Sequence, residues 1–88
     1  MSDKRYEPDG NGNLIRITKE NSDGSYEFIA RPENNSGQER LHGGVDSNGN
    51  LSWFAVTDEN GKKIDGSKNF SKYVINTAVQ VANALMND

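Results

Sequence analysis

The chain has 88 residues, with ten Lys or Arg, thirteen Asp or Glu and one His, for a net charge of −3. That length accommodates a single domain. Hydrophobic residues make up only 32% and the mean hydropathy is −0.90, so the core is thin and oligomerisation is an expected source of stability. The mild acidity argues against a dedicated nucleic-acid binder, which usually shows a basic face, and zero Cys excludes disulfides, thiolate metal sites and cysteine nucleophiles.

The opening stretch, MSDKRYEPDG, is polar and has no apolar signal-like region. Residues 1–12 are expected to form a flexible tail ahead of one domain at 13–88. No segment has the uninterrupted apolar length of a membrane span, and a cytoplasmic location is the expectation.

Short β-type runs follow, each rich in β-branched or aromatic residues: NLIRITKE (13–20), SYEFIARP (25–32), ERLHGGV (39–45) and LSWFAVT (51–57), with a fifth short strand near 62–65. Between them lie Asn-Gly pairs at 11–12, 48–49 and 60–61 and an Asp-Gly pair at 23–24. Such pairs tolerate positive φ and suit two-residue type I′ hairpins. PENNSG (32–37) reads as a longer loop. On the strand at 51–57, alternation groups Leu51, Trp53 and Ala55 on one face and Phe54 and Val56 on the other. Trp53 is placed in the core on this reading.

Three of the turns share a pattern: DGNGN from Asp9, DSNGN from Asp46 and DENGK from Asp58. The spacing resembles the start of a calcium loop, which needs Gly at its sixth position and Glu at its twelfth. Counting from Asp46 those positions are Leu51 and Thr57; counting from Asp9 they are Leu14 and Glu20. Hairpin turns account for all three, and no metal or other cofactor is expected.

From Tyr73 to Asn87 there is not one charged side chain. Lys72, Asn76, Gln80, Asn83 and Asn87 fall in one helical stripe about 80° wide, and nearly every other position is apolar. The pattern predicts a helix over 68–86, capped by Ser67 or Asn69. Five β-branched residues between Val74 and Val81 weaken helix propensity, but a strand would leave the amide stripe without a reason. The apolar arc is over twice the width one sheet contact needs. Phe70, Val74, Thr77, Val81 and Leu85 are assigned to the sheet. Ile75, Val79, Ala82 and Met86 then point away and form an interface for a partner protein or a homodimer.

Motifs for chemistry are absent: there is no Gly-x-Ser-x-Gly elbow, P-loop or dinucleotide fingerprint. His42 stands alone, followed by Gly43-Gly44, and reads as a strand residue beside a bulge. Arg16, Arg31 and Arg40, with Tyr26 or Trp53, could line a sheet face and contact a ligand or partner, although Glu20, Glu27 and Glu39 interleave with them.

The fold expected is α+β: a four- to five-stranded antiparallel meander with one long C-terminal helix packed on one face. The function expected is that of a small non-enzymatic protein-interaction module, dimeric or partner-binding, such as an inhibitor or accessory factor of phage or mobile-element type. The alternative is a domain that uses its sheet aromatics to bind a small ligand, a carbohydrate or a single-stranded nucleic acid.

Overall fold

The computed structural model describes residues 5–34, 39–65 and 70–87. Six strands run in the order β1 (Glu7–Pro8), β2 (Asn13–Glu20), β3 (Tyr26–Pro32), β4 (Arg40–Val45), β5 (Leu51–Thr57) and β6 (Lys63–Ile64), followed by the helix α1 (Lys72–Met86). Every strand pairs antiparallel with its sequence neighbour, so the sheet is one unbroken meander. The α+β class and the meander stand as read from the sequence, with six strands in place of four or five.

The extra strand lies in the stretch read as a tail. Glu7 pairs with Ile15 and Pro8 with Leu14. This hairpin is closed by Asp9, whose backbone N–H donates to the carbonyl of Asn13 at 3.0 Å.

The repeated Asp-x-Asn-Gly motif builds three-residue loops, where two-residue turns were expected. Asp46 N–H donates to the Asn50 carbonyl at 2.8 Å and Gly49 N–H to the Asp46 carbonyl at 3.0 Å. Asp46 Oδ1 accepts from the backbone N–H groups of Asn48 and Asn50. Asp58 does the same for Asn60 and Lys62, and Asp9 for Asn11 and Asn13. The glycine at the fourth place has φ of +88° at Gly12, +85° at Gly49 and +83° at Gly61. A turn ending in a left-handed glycine is the usual three-residue hairpin connection. The aspartate fixes that register by satisfying two N–H groups that the ladder leaves free.

Ser71 caps the helix, its Oγ accepting from Val74 N–H at 3.3 Å. Ser67 and Asn69, expected as caps, lie outside the described residues. No described helix is long and apolar enough to cross a membrane.

The core is built from one face of the sheet and one side of α1. Ile15, Ile17, Tyr26, Phe28, Ala30, Leu41, Val45 and Val56 come from the strands, and Ile75, Ala78, Val79, Ala82 and Leu85 from the helix. This corrects the assignment of the helix. Ile75, Val79 and Ala82, expected to point away as an interface, are 7%, 8% and 0% exposed, and Met86 is partly buried against the same cluster. Val74 and Val81, expected at the centre of the contact, lie at its margin. The helix is thus turned by roughly one residue, about 100°, from its expected setting.

The physical reason is that the sheet approaches the helix from two sides. Ile75 lies with Phe54, Val56 and Ile64 at the β5–β6 end. Val81, Ala84 and Leu85 lie beside Arg5, Glu7 and Pro8 at the β1 end. A twisted sheet of six strands covers a wider arc of helix than the single stripe allowed for.

Candidate functional site: the open face of the sheet

With α1 on one face, the other face of the sheet has no covering layer among the described residues. Cross-strand register sets out its side chains in rows. Lys19, Glu27, Gly44 and Trp53 form one row across β2 to β5. Arg16, Ile29, His42 and Ala55 form the next. Leu14 and Arg31 begin a third, and Arg40 and Thr57 stand opposite each other beside it.

Trp53 is on this face and is 45% exposed, which corrects its assignment to the core. The ring lies flat over Gly44: a Cβ there would fall 1.9 Å from Trp53 Nε1. The preceding glycine faces the other way, and a Cβ at Gly43 would fall 2.5 Å from the Phe28 ring in the core. The Gly-Gly pair therefore admits one aromatic ring on each side of the sheet. A bulge between Gly44 and Val45 sets Val45 opposite Leu51. Leu51 consequently joins the core side, away from Trp53, with which simple alternation had grouped it.

Arg16, Arg31 and Arg40 all reach this face. Tyr26 does not join them. It is 3% exposed on the helix side, where its hydroxyl donates to Asn83 Oδ1. Asn83 Nδ2 in turn donates to the Gly49 carbonyl at 3.0 Å. Burial pushes the Tyr26 phenol up to about 12. Tyr26 and Asn83 thus tie the helix to the β4–β5 turn, a role hidden from the sequence because Asn83 reads as one member of a solvated stripe.

The structure places Tyr6, in the stretch expected to be a tail, at the arginines. The guanidinium carbon of Arg31 is 4.5 Å from the Tyr6 ring centroid and that of Arg16 is 5.1 Å from it. Partial burial raises the phenol's pKa, but hydrogen bonds and charge from Arg31 and Arg16 outweigh burial and hold it below the ordinary tyrosine value. The one available signal was register: extending β1 by a residue sets Tyr6 across from Arg16.

His42 shares a hydrogen bond of 3.0 Å with Thr57 Oγ1. Burial, and then the charge of Arg40, hold its pKa below the usual value. Basic groups prevail in these rows: Arg16, Lys19, Arg31 and Arg40 accompany a single carboxylate, Glu27. The face is locally positive on a chain whose net charge is −3.

A second concavity, an apolar groove of about 650 Å³, lies between β5, β6 and the start of α1. Phe54, 51% exposed, forms part of its wall. Its polar residues, Lys63, Asp65, Lys72 and Asn76, are all exposed, so no polar group is held inside it to orient a small molecule. Among the described residues no three His, Asp or Glu side chains gather as a metal would require. Asp9, Asp46 and Asp58 instead serve their own turns.

No protein-family model, curated protein or solved structure matches this chain.

Proposed function

We propose that this protein is a small non-enzymatic binding module that holds an acidic partner protein on the open face of its sheet. The supporting observation is the exposure of Trp53 on a face where basic side chains outnumber acidic ones. A Trp ring packed on a glycine is a broad amphipathic surface, and residues of this type dominate interface energetics. Ile29, Ala55 and Leu14 supply the apolar ground between the charges, while Arg16, Arg31 and Arg40 favour an acidic surface through charge complementarity.

The face suits a partner of opposite sign better than a second copy, because apposing two such faces brings arginines together. A nucleic acid is the weaker reading. Single-strand platforms stack successive bases on several exposed aromatic rings. Here Trp53 is the one exposed ring among the described residues of this face, Tyr6 being flanked by its arginines.

The sole Trp of the chain reports on binding directly. Titration with extended peptides that alternate acidic and aliphatic residues is expected to change Trp53 fluorescence to saturation, and to do so less as salt is added. By calorimetry, Trp53→Ala should weaken binding more than about tenfold. Tighter binding of oligothymidylate than of any acidic peptide would replace the protein partner with a nucleic acid.

A further inference from the structure

At one edge of the open face, two guanidinium groups converge on one tyrosine. Arg16 and Arg31 lie on neighbouring strands, and Tyr6 enters between them from the residue preceding β1. Both guanidinium carbons stand within 5.1 Å of its ring centroid, Arg31 at 4.5 Å. The charge of both guanidinium groups helps hold the phenol below its ordinary pKa. Arg31 Nη1 has an acceptor in the Pro32 carbonyl at 3.3 Å.

Among the described residues no carboxylate pairs with Arg16 or Arg31, and the nearby Glu7 is bonded to Arg5 at 3.2 Å. Arg16 Nε is buried without any hydrogen-bond partner. Two like charges brought together, with a buried donor unmet, repel each other and raise the free energy of the fold unless an anion joins them. The planar guanidinium carries five N–H donors in a fixed fork suited to carboxylate and phosphate oxygens. The tyrosine ring holds both forks by cation–π attraction, and the terminal nitrogens left over can reach a shared ligand.

We propose that Tyr6, Arg16 and Arg31 form an oxyanion-binding site that receives a carboxylate or phosphate group. As a contact point for an acidic partner, the site rests on the reading of the open face as the binding surface. As a receptor for a free oxyanion it can be measured alone.

The test follows the Nε–Hε resonances of the arginines by nitrogen-15 correlation spectroscopy. Inorganic phosphate is the probe in one arm and glutarate in the other. Saturable shifts at Arg16 and Arg31, in either arm, are the expected result, and the arm that saturates at lower concentration identifies the group. Arg16→Gln and Arg31→Gln should each weaken that binding about tenfold, with thermal unfolding used to establish that each variant is folded. Lys62→Gln, in the exposed β5–β6 turn, should leave it unchanged. Shifts that rise linearly without saturation, or that are equal at all four arginines, would overturn the site. If phosphate or glutarate binds but no acidic peptide does, the oxyanion site stands and the partner reading fails. If peptides bind and Arg16→Gln and Arg31→Gln leave them bound, the oxyanion site fails alone.

Discussion

Gly43 and Gly44 are adjacent in sequence and each lies beneath an aromatic ring, yet the two rings have opposite settings. Phe28, over Gly43, is 1% exposed in the core, whereas Trp53, over Gly44, is 45% exposed on the open face. The closed face is fixed by packing from both sides and any change in volume there is felt. The open face has the same close ring-to-backbone contact but nothing on top of it. Exposed aromatic surface that the fold itself does not bury is what an interface offers.

The largest expected effect tests which side of the helix is closed. Val79→Asp places an unpaired carboxylate in the core and should cost about 3–5 kcal/mol, a large part of the stability of a domain this small. Circular dichroism is expected to show a chain largely unfolded. A folded variant that had changed only its association state would return Val79 to the surface.

The two glycines sharpen the contrast at smaller cost. Neither has a positive φ, so alanine acts through space alone. Gly43→Ala presses a methyl into the buried Phe28 ring and is expected to cost about 1–3 kcal/mol. At Gly44 the Trp53 ring can swing outward, so Gly44→Ala should cost less than about 1 kcal/mol while shifting the Trp53 emission. Urea unfolding and fluorescence spectra on the pair separate these outcomes. Equal losses of stability would mean that the open face is as tightly held as the core.

Smaller again is the contribution of the turns. Asp58→Ala removes the acceptor for two backbone N–H groups and should lower stability by about 1 kcal/mol, read by the same urea midpoint. Asp58→Asn retains an acceptor oxygen and should recover most of the loss.

The pH dependence of the closed face has a definite sign. Tyr26 has a folded pKa raised to about 12, against roughly 10 when unfolded. Its contribution is complete below pH 10 and is lost as pH rises from there through 12, because the unfolded chain releases its proton first. Thermal midpoints of the parent should fall more steeply over that window than those of Tyr26→Phe. Parallel curves would mean that the phenol is not buried as described.

The parts of the fold most open to sequence reasoning were those set by local chemistry. Strands at 13–20 and 51–57 follow from β-branched alternation, and the turns follow from Gly and Asn clusters. Departures arise where a single residue shifts the phase. The bulge at Gly44 moves Leu51 to the core side and leaves Trp53 outside. The helix keeps its amide stripe in solvent except at Asn83, which bonds to Tyr26 and Gly49, but the wide apolar arc reads as a surplus only if the sheet is imagined as flat. Ile75 lies beside β5 and β6, Val79 and Ala82 pack within the same core cluster, and the surplus disappears. Of the candidate site, Arg16, Arg31 and Arg40 were legible by residue type, whereas Trp53 read as core and its exposure depends on the bulge. Tyr6 was not legible, since its place beside two arginines depends on a two-residue strand that no propensity argument would find.

Iodide quenching of Trp53, measured over a range of protein concentrations, tests the openness of this face most directly. The expected result is long-wavelength emission, efficient quenching and no dependence on concentration. Blue-shifted emission shielded from iodide would mean that the face is covered in solution, and would contradict the account.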